Sequence, residues 1–248
     1  MKKFAPIVIF LLVIFLVAGC SSSETSPSES SGTPAVDNDA APDYSNLQLK
    51  PSQQTYQFDN PVGGSMDGSY AFEVTNTFDI PVQIDSYTVD FLDKNENTLS
   101  HFENVNLVPR IIQPGEKAYA GDIVNIETAT NPGGLQEMEV GLNISKATKT
   151  VEMFDFQNLN LMESTEDGSI IITGKVMNNT SADAELVAIV VVSLGENDTL
   201  LDVTNVSSVF TLSKGSESSF ETNLNNTGIK KAEVKKVTAL GYDFTATN

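Results

Sequence analysis

Apolar and polar residues alternate along much of this chain. Met138, Val140, Leu142 and Ile144 are apolar while Glu139, Gly141 and Asn143 between them are not, and a period of two predicts a strand with one face in a core and the other in water. Tyr70, Phe72 and Val74 read the same way, as do Tyr87-Thr88-Val89-Asp90-Phe91 and the trio Ile170, Ile172 and Val176. Leu186 through Val192 is apolar on both faces, which predicts a central strand rather than an edge. Beyond residue 20 no stretch carries a helical period.

The strand pattern occurs twice, about 100 residues apart. Asp67-Gly68-Ser69 returns as Asp167-Gly168-Ser169, and Thr75-Asn76-Thr77 as Asn178-Asn179-Thr180. The polar turn after Phe91, running from Asp93 to Leu99, matches Gly195 to Leu200; Gln113-Pro114-Gly115-Glu116 matches Ser213-Lys214-Gly215-Ser216; Gly134-Leu135 with Glu139-Val140 matches Gly228-Ile229 with Glu233-Val234. Gln-Pro-Gly-Glu predicts a type II turn, proline setting φ at its second position and glycine accepting a positive φ at its third. The second copy keeps only the glycine, as expected if the positive φ is the requirement. Strands every 8 to 12 residues and about 100 residues per unit describe an all-β protein of two tandem immunoglobulin-like β-sandwich domains, with expected bounds of 54–148 and 149–248. The junction from Ile144 to Val151 holds no Pro or Gly, so it is expected to be short and stiff.

The first 53 residues follow different rules. Lys2 and Lys3 precede an apolar run from near Ile7, and Ala18 and Gly19 are small, the layout of a secretory signal. The run is shorter than the roughly 20 residues of a membrane span. Val17-Ala18-Gly19-Cys20 resembles the bacterial lipobox, which implies a signal peptide over 1–19, cleavage after Gly19 and a lipid on the Cys20 thiol. Two acyl chains anchor a protein stably where one does not. From Cys20 to Gln53 the composition is Ser, Pro, Ala and acidic residues, too polar to order itself. Such a linker has an r.m.s. reach of about 30 Å.

Val89-Asp90-Phe91-Leu92-Asp93, followed later by Ile112-Gln113-Pro114-Gly115-Glu116, resembles the FxLYD-type and related immunoglobulin-like modules of bacterial lipoproteins. The resemblance covers residues 54–248. It implies a sandwich fold and a surface location, and it carries no catalytic residues.

Composition narrows the chemistry. Without the expected signal, 12 basic residues stand against 33 acidic ones, a formal charge of −21. A chain this acidic repels phosphate, so nucleic acid is not an expected partner. Cys20 is the sole cysteine, which rules out an internal disulfide and Cys-based zinc or nucleophile sites. His101, the sole histidine, reads as a surface or edge residue. Asp93, Asn95 and Asn97 begin an Asp-x-Asn-x-Asn run like a calcium loop, but Thr98 stands where the loop needs Gly and Asn104 where it needs Glu. The same residues favour a hairpin turn. Lys230, Lys231, Lys235 and Lys236 are read as guards of an edge strand.

The expected function is that of a non-enzymatic lipoprotein with a binding or structural role at the cell envelope. It would be held to the bilayer through acylated Cys20, would use no cofactor, and would face an envelope or extracellular partner. The first alternative is a calcium- or small-ligand-binding module, and a lower-ranked one is an envelope-polymer hydrolase working through paired carboxylates.

Overall fold

Antiparallel pairing accounts for nearly all the regular structure. The computed structural model describes residues 47–59, 65–127, 134–206 and 211–247. Gly19, Cys20, the expected signal segment and the linker as far as residue 46 lie outside the described residues. In the first half β1 (Pro51–Phe58), β2 (Met66–Thr75) and β6 (Lys117–Ile126) form one sheet in the order β1-β2-β6. A second sheet is built on β3 (Val82–Asp93), with β4 (Thr98–Asn104) and β5 (Ile111–Ile112) along one path and β7 (Leu135–Lys146) also paired to β3. The second half repeats this: β8 (Asp155–Glu163), β9 (Ile170–Met177) and β12 (Glu217–Asn223) in the order β12-β9-β8, and β10 (Val187–Leu194) between β11 (Leu200–Asn205) and β13 (Lys236–Asp243). None of the sheets closes. Helical structure among the described residues is limited to short 3-10 turns.

Three cores hold the sheets together. The first half closes over Tyr70, Phe72, Val89, Phe91 and Met138, all buried. Edge-on aromatic contacts run through it, such as Phe72 on Tyr87 with centroids 5.0 Å apart, and such pairs add to area burial. The second half closes over Ile172, Val176, Ile189, Val191 and Phe220. The third core joins the halves: Ala71 and Tyr119 from β2 and β6 meet Val190 and Val192 of β10, Val203 of β11 and Tyr242 of β13. The described residues from 47 to 247 accordingly form one compact unit.

The halves meet head to tail. In the first half the β1-β2-β6 sheet takes the seam, whereas in the second it is the β11-β10-β13 sheet, the counterpart of the β3 sheet. A contact between unlike faces of this kind is heterologous and leaves each face free at one end of the stack. Both free faces are polar: the outward residues include Gln83, Asp85, Thr88 and Asp90 on β3, and Ser219 and Glu221 on β12.

Backbone approach at the seam is close. A Cβ on Gly121 would lie 2.2 Å from the Val203 carbonyl oxygen, so only glycine fits between β6 and β11. Asn205 Nδ2 donates to the Gly121 carbonyl at 2.7 Å. Gln53 also spans the seam, accepting from Leu200 N at 2.8 Å and donating to the Asp198 carbonyl at 3.2 Å. The expected linker ended at Gln53, but β1 already begins at Pro51, and Leu47 and Leu49 pack against the first core. The polar letters Ser-Gln-Gln hid a strand whose glutamines bond to neighbouring backbone, Gln54 to the Met138 carbonyl and Gln53 to that of Asp198.

The two halves share a strand arrangement, but its register differs from the sequence matches. Thr75 pairs with Lys117 as Met177 pairs with Glu217, so Asn76 corresponds to Asn178, one position from the match drawn between the triplets. Both are buried. Asn76 Nδ2 donates to the Ile80 and Ile112 carbonyls and its Oδ1 accepts from Phe78 N; Asn178 repeats this with Ala182, Leu212 and Thr180. Beside each sits the expected turn, Gly115 at φ +79° and Gly215 at φ +74°. Their amides donate to the Asn76 and Asn178 carbonyls at 2.8 and 2.7 Å.

Two of the other matches fail. Gly68 lies inside β2, while Gly168 is in the turn before β9 with φ +74°. Glu139 pairs with Asp90 inside β7, whereas Glu233 lies in a 3-10 turn ahead of β13. Both were short polar strings that suit either a strand or a turn.

Candidate functional site

The β6 edge, the connection after β4 and the start of β10 leave a groove of about 390 Å³ at one side of the seam. Its walls include Leu107, Val187, Ile189, Val206 and Phe244, with Leu186 more than a third exposed on its rim. Apolar concavities with a few polar groups are the usual form of small-molecule sites. Phe244 is held by contacts from both halves. Its amide donates to the Leu186 carbonyl at 2.8 Å, and the Arg110 guanidinium lies 5.4 Å from its ring centroid, within cation–π range. Arg110 is itself buried, and donates through Nε to the Ile84 carbonyl at 3.1 Å and through Nη2 to that of Asp85 at 2.9 Å.

Asp122 is the one ionisable residue among the described residues of the lining, and its pairing with Tyr70 turns its side chain to the first-core face of β6, opposite Gly121. Its Oδ1 accepts from Ile123 N at 2.9 Å, and its Oδ2 is met only by Asn104 Nδ2 at a long 3.4 Å. Burial pushes its carboxyl above the usual range, with the Ile123 amide opposing. Tyr70 pairs with Asp122 across β2 and β6, and its hydroxyl lies 3.2 Å from that of Tyr87. Burial pushes the Tyr70 phenol up to about 12 and Tyr87 upward as well, so both are neutral donors near pH 7. The sequence offered one clue to this site: a glycine inside a strand, Gly121, marks a close approach, and Asp122 follows it.

The residues singled out from the sequence lie elsewhere. Asp93 is the start of a tight turn: its Oδ1 accepts from Asn95 N at 2.7 Å and Asn97 N at 2.9 Å, and Asn97 Nδ2 donates to Oδ2 at 3.0 Å. Those donors, the Asn97 amide first, hold the Asp93 carboxyl below its usual range. Asn95 and Asn97 thus turn N–H groups, not oxygens, toward Asp93. Among the described residues no group of three or more His, Cys, Asp or Glu is placed to hold a metal ion. His101 sits on β4 with Nδ1 2.7 Å from Asp90 Oδ1 on the paired position of β3. Of the four lysines, only Lys236 lies in a strand, the edge strand β13, where it faces Asp198 at 3.4 Å. Lys230, Lys231 and Lys235 fall in and around the 3-10 turn before it, since a charged string suits a turn as well as a strand edge.

A second desolvated carboxylate lies away from the groove. Asp202 on β11 is 1% exposed, and its Oδ2 accepts from Thr204 Oγ1 at 2.6 Å and Asn225 N at 3.1 Å. Burial outweighs those donors and pushes its pKa up to about 6 from 3.8. The folded state therefore binds this proton more tightly than the unfolded chain, and the associated stability is complete below pH about 4 and lost by about 6. A displacement of this size is worth roughly 3 kcal/mol. Asp202→Asn keeps an acceptor and removes the charge. Urea denaturation at pH 4 and pH 7 is expected to show the variant gaining roughly 3 kcal/mol on the parent between the two; an unchanged difference would place the Asp202 carboxylate in a well-solvated setting.

Fold and groove together define an all-β protein of stacked antiparallel sheets with a seam concavity between two repeated halves. No protein-family model matches the chain, and no curated protein matches it either.

Proposed function

We propose that this chain is a lipid-anchored extracytoplasmic protein of two tandem immunoglobulin-like sandwiches, with a non-enzymatic role of binding a small ligand in the seam groove. The observation that carries the binding role is the groove itself, a concavity lined mainly by apolar residues of both halves. The lipobox-like run ending in Cys20, the signal-like apolar stretch before it and the polar linker after it support the anchored location. Among the alternatives, the small-ligand reading gains from the groove and becomes part of the proposal. The calcium reading draws nothing from Asp93, whose oxygens are already engaged by N–H donors of its own turn. Hydrolysis by paired carboxylates needs two of them flanking the scissile bond, and the groove's described lining brings no such pair to support that reading.

The anchor is tested by growing cells with an alkyne analogue of palmitate. The parent protein is expected to take up label and sediment with membranes, and Cys20→Ala to do neither. Labelling that survives in Cys20→Ala, or a parent protein without label, would remove the anchor from the proposal.

A further inference from the structure

Among the described residues β7 pairs with β3 alone, so its other side is a sheet edge. Its pairing is regular from Glu137 to Lys146. The Ala147 amide donates to the Pro81 carbonyl on the β3 side at 3.1 Å, whereas the Met138 carbonyl points the other way and accepts from Gln54 Nε2 of β1 at 2.8 Å. Peptide groups alternate in direction along a strand, so those of Val140, Leu142 and Ile144 also point away from β3. No hydrogen bond from the described residues reaches them there. Edges of this kind are normally blunted by charge, proline, a bulge or a cover. In the second half the corresponding strand β13 is covered, since the Phe154 amide donates to the Gly241 carbonyl at 2.9 Å and Met153 bridges to Tyr242. The edge strand β8 carries a register break between Gln157 and Asn160. Val140-Gly141-Leu142-Asn143-Ile144 has neither charge nor proline, and its three apolar side chains lie only partly buried at the margin of the first core.

We infer that this edge binds a second copy of this chain, β7 against β7, antiparallel about a two-fold axis at Leu142. The engaged groups fix the register. Gln54 already occupies the Met138 carbonyl, so the open stretch runs from Val140 to Ile144 and is centred on Leu142. With the axis there, Leu142 exchanges N–H···O bonds with its own equivalent and Val140 exchanges them with Ile144 of the second copy. An axis at Gly141 would set Ile144 against the engaged Met138, and one at Asn143 would set Val140 against the charged Lys146 at the end of the strand. The side chains agree with the backbone. The two apolar rows abut on the core side, each covering the other's exposed margin, while on the outer face Glu139 falls opposite Ser145 and Gly141 opposite Asn143. No like charges meet directly, in a chain with 33 acidic residues. Such a contact is isologous and closes on itself.

The test uses the full chain in density-matched detergent micelles. The parent is expected to sediment as a dimer in equilibrium with monomer. Leu142→Lys sets two like charges opposite each other at the axis and is expected to weaken association about tenfold or more; Leu142→Ile keeps an apolar strand former and is expected to leave it unchanged. Thermal midpoints check that both variants fold. The double variant Glu139→Cys/Ser145→Cys tests the register, because these positions face each other across the axis as a close, non-hydrogen-bonded pair. Mild oxidation is expected to link it into a covalent dimer, and to link neither the parent nor either single variant. A parent that is monomeric at every concentration would overturn the inference, as would a folded Leu142→Lys chain that associates like the parent. Should Leu142→Lys fail to fold, the cysteine pair decides alone. Absence of its crosslink would overturn the pairing about Leu142.

Discussion

Replacing Asn76 or Asn178 with alanine is expected to lower stability by about 3 to 5 kcal/mol in either case, because each truncation strands three backbone groups at once. For Asn76 these are the Ile80 and Ile112 carbonyls and the Phe78 amide; for Asn178 they are the Ala182 and Leu212 carbonyls and the Thr180 amide. Both asparagines are buried, at 1% and 0% exposed, so water cannot take over the lost bonds without opening the corner. Each side chain ties the turn after one strand to the segment that leads into the Gly115 or Gly215 turn, and that turn in turn donates to the asparagine's own carbonyl. Aspartate at either position keeps the acceptor for Phe78 or Thr180 but places oxygen against two carbonyls, so it is expected to be at least as damaging as alanine. Denaturant titration of the four variants measures this. A loss below about 1 kcal/mol for both alanines would mean that the corner is held by the glycine turn alone.

Gly121→Ala is expected to cost about 3 kcal/mol or more and to act on the seam. The added methyl would lie 2.2 Å from the Val203 carbonyl oxygen and 2.9 Å from that of Tyr70. Backbone atoms of two paired strands cannot yield as a flexible side chain would, and overpacking of this kind is relieved only by moving the sheets apart. Parting them exposes Ala71, Val190, Val192 and Val203. The parent is expected to unfold in a single transition, since one buried core is shared between the halves, and the variant to show two transitions or a lowered denaturant dependence. Gly134→Ala, where a Cβ meets nothing within 4 Å, is the matched control and is expected to change little. A Gly121→Ala protein as stable as the parent would show that the seam is looser than a glycine-only contact.

Strand identity was largely legible along the chain because burial on one face writes itself as alternation. Met138 to Ile144 and Tyr87 to Phe91 are strands with the expected residues inward. The Gly115 and Gly215 turns were legible because a positive φ leaves few residue choices. The four lysines before and at the start of β13 were misplaced because a charged string suits a strand edge and a turn equally well. Gln53 was misread for a related reason: polarity was taken as exposure, while its side chain bonds across the seam. Asp122 gave no signal of its own, since a carboxylate is marked as special only by what surrounds it, and its surroundings include Tyr70 of β2 and Asn104 of β4.

Leu186 to Val192 separates the two sources of information. The run is apolar on both faces, and that much predicted a strand inside a sheet; β10 does lie between β11 and β13. Yet β3, its counterpart, is also flanked by strands and keeps the alternation of a half-solvated strand. The difference is the neighbour: β10 has a sheet packed on each face and β3 on one. The chain by itself determined that there would be strands, where they turn and that the unit occurs twice, since these depend on contacts near in sequence or on a repeating pattern. Which faces of the two copies meet, and therefore where a groove opens, was decided only in three dimensions, because residues more than 80 positions apart such as Gly121 and Val203 touch there and neither carries the other's address.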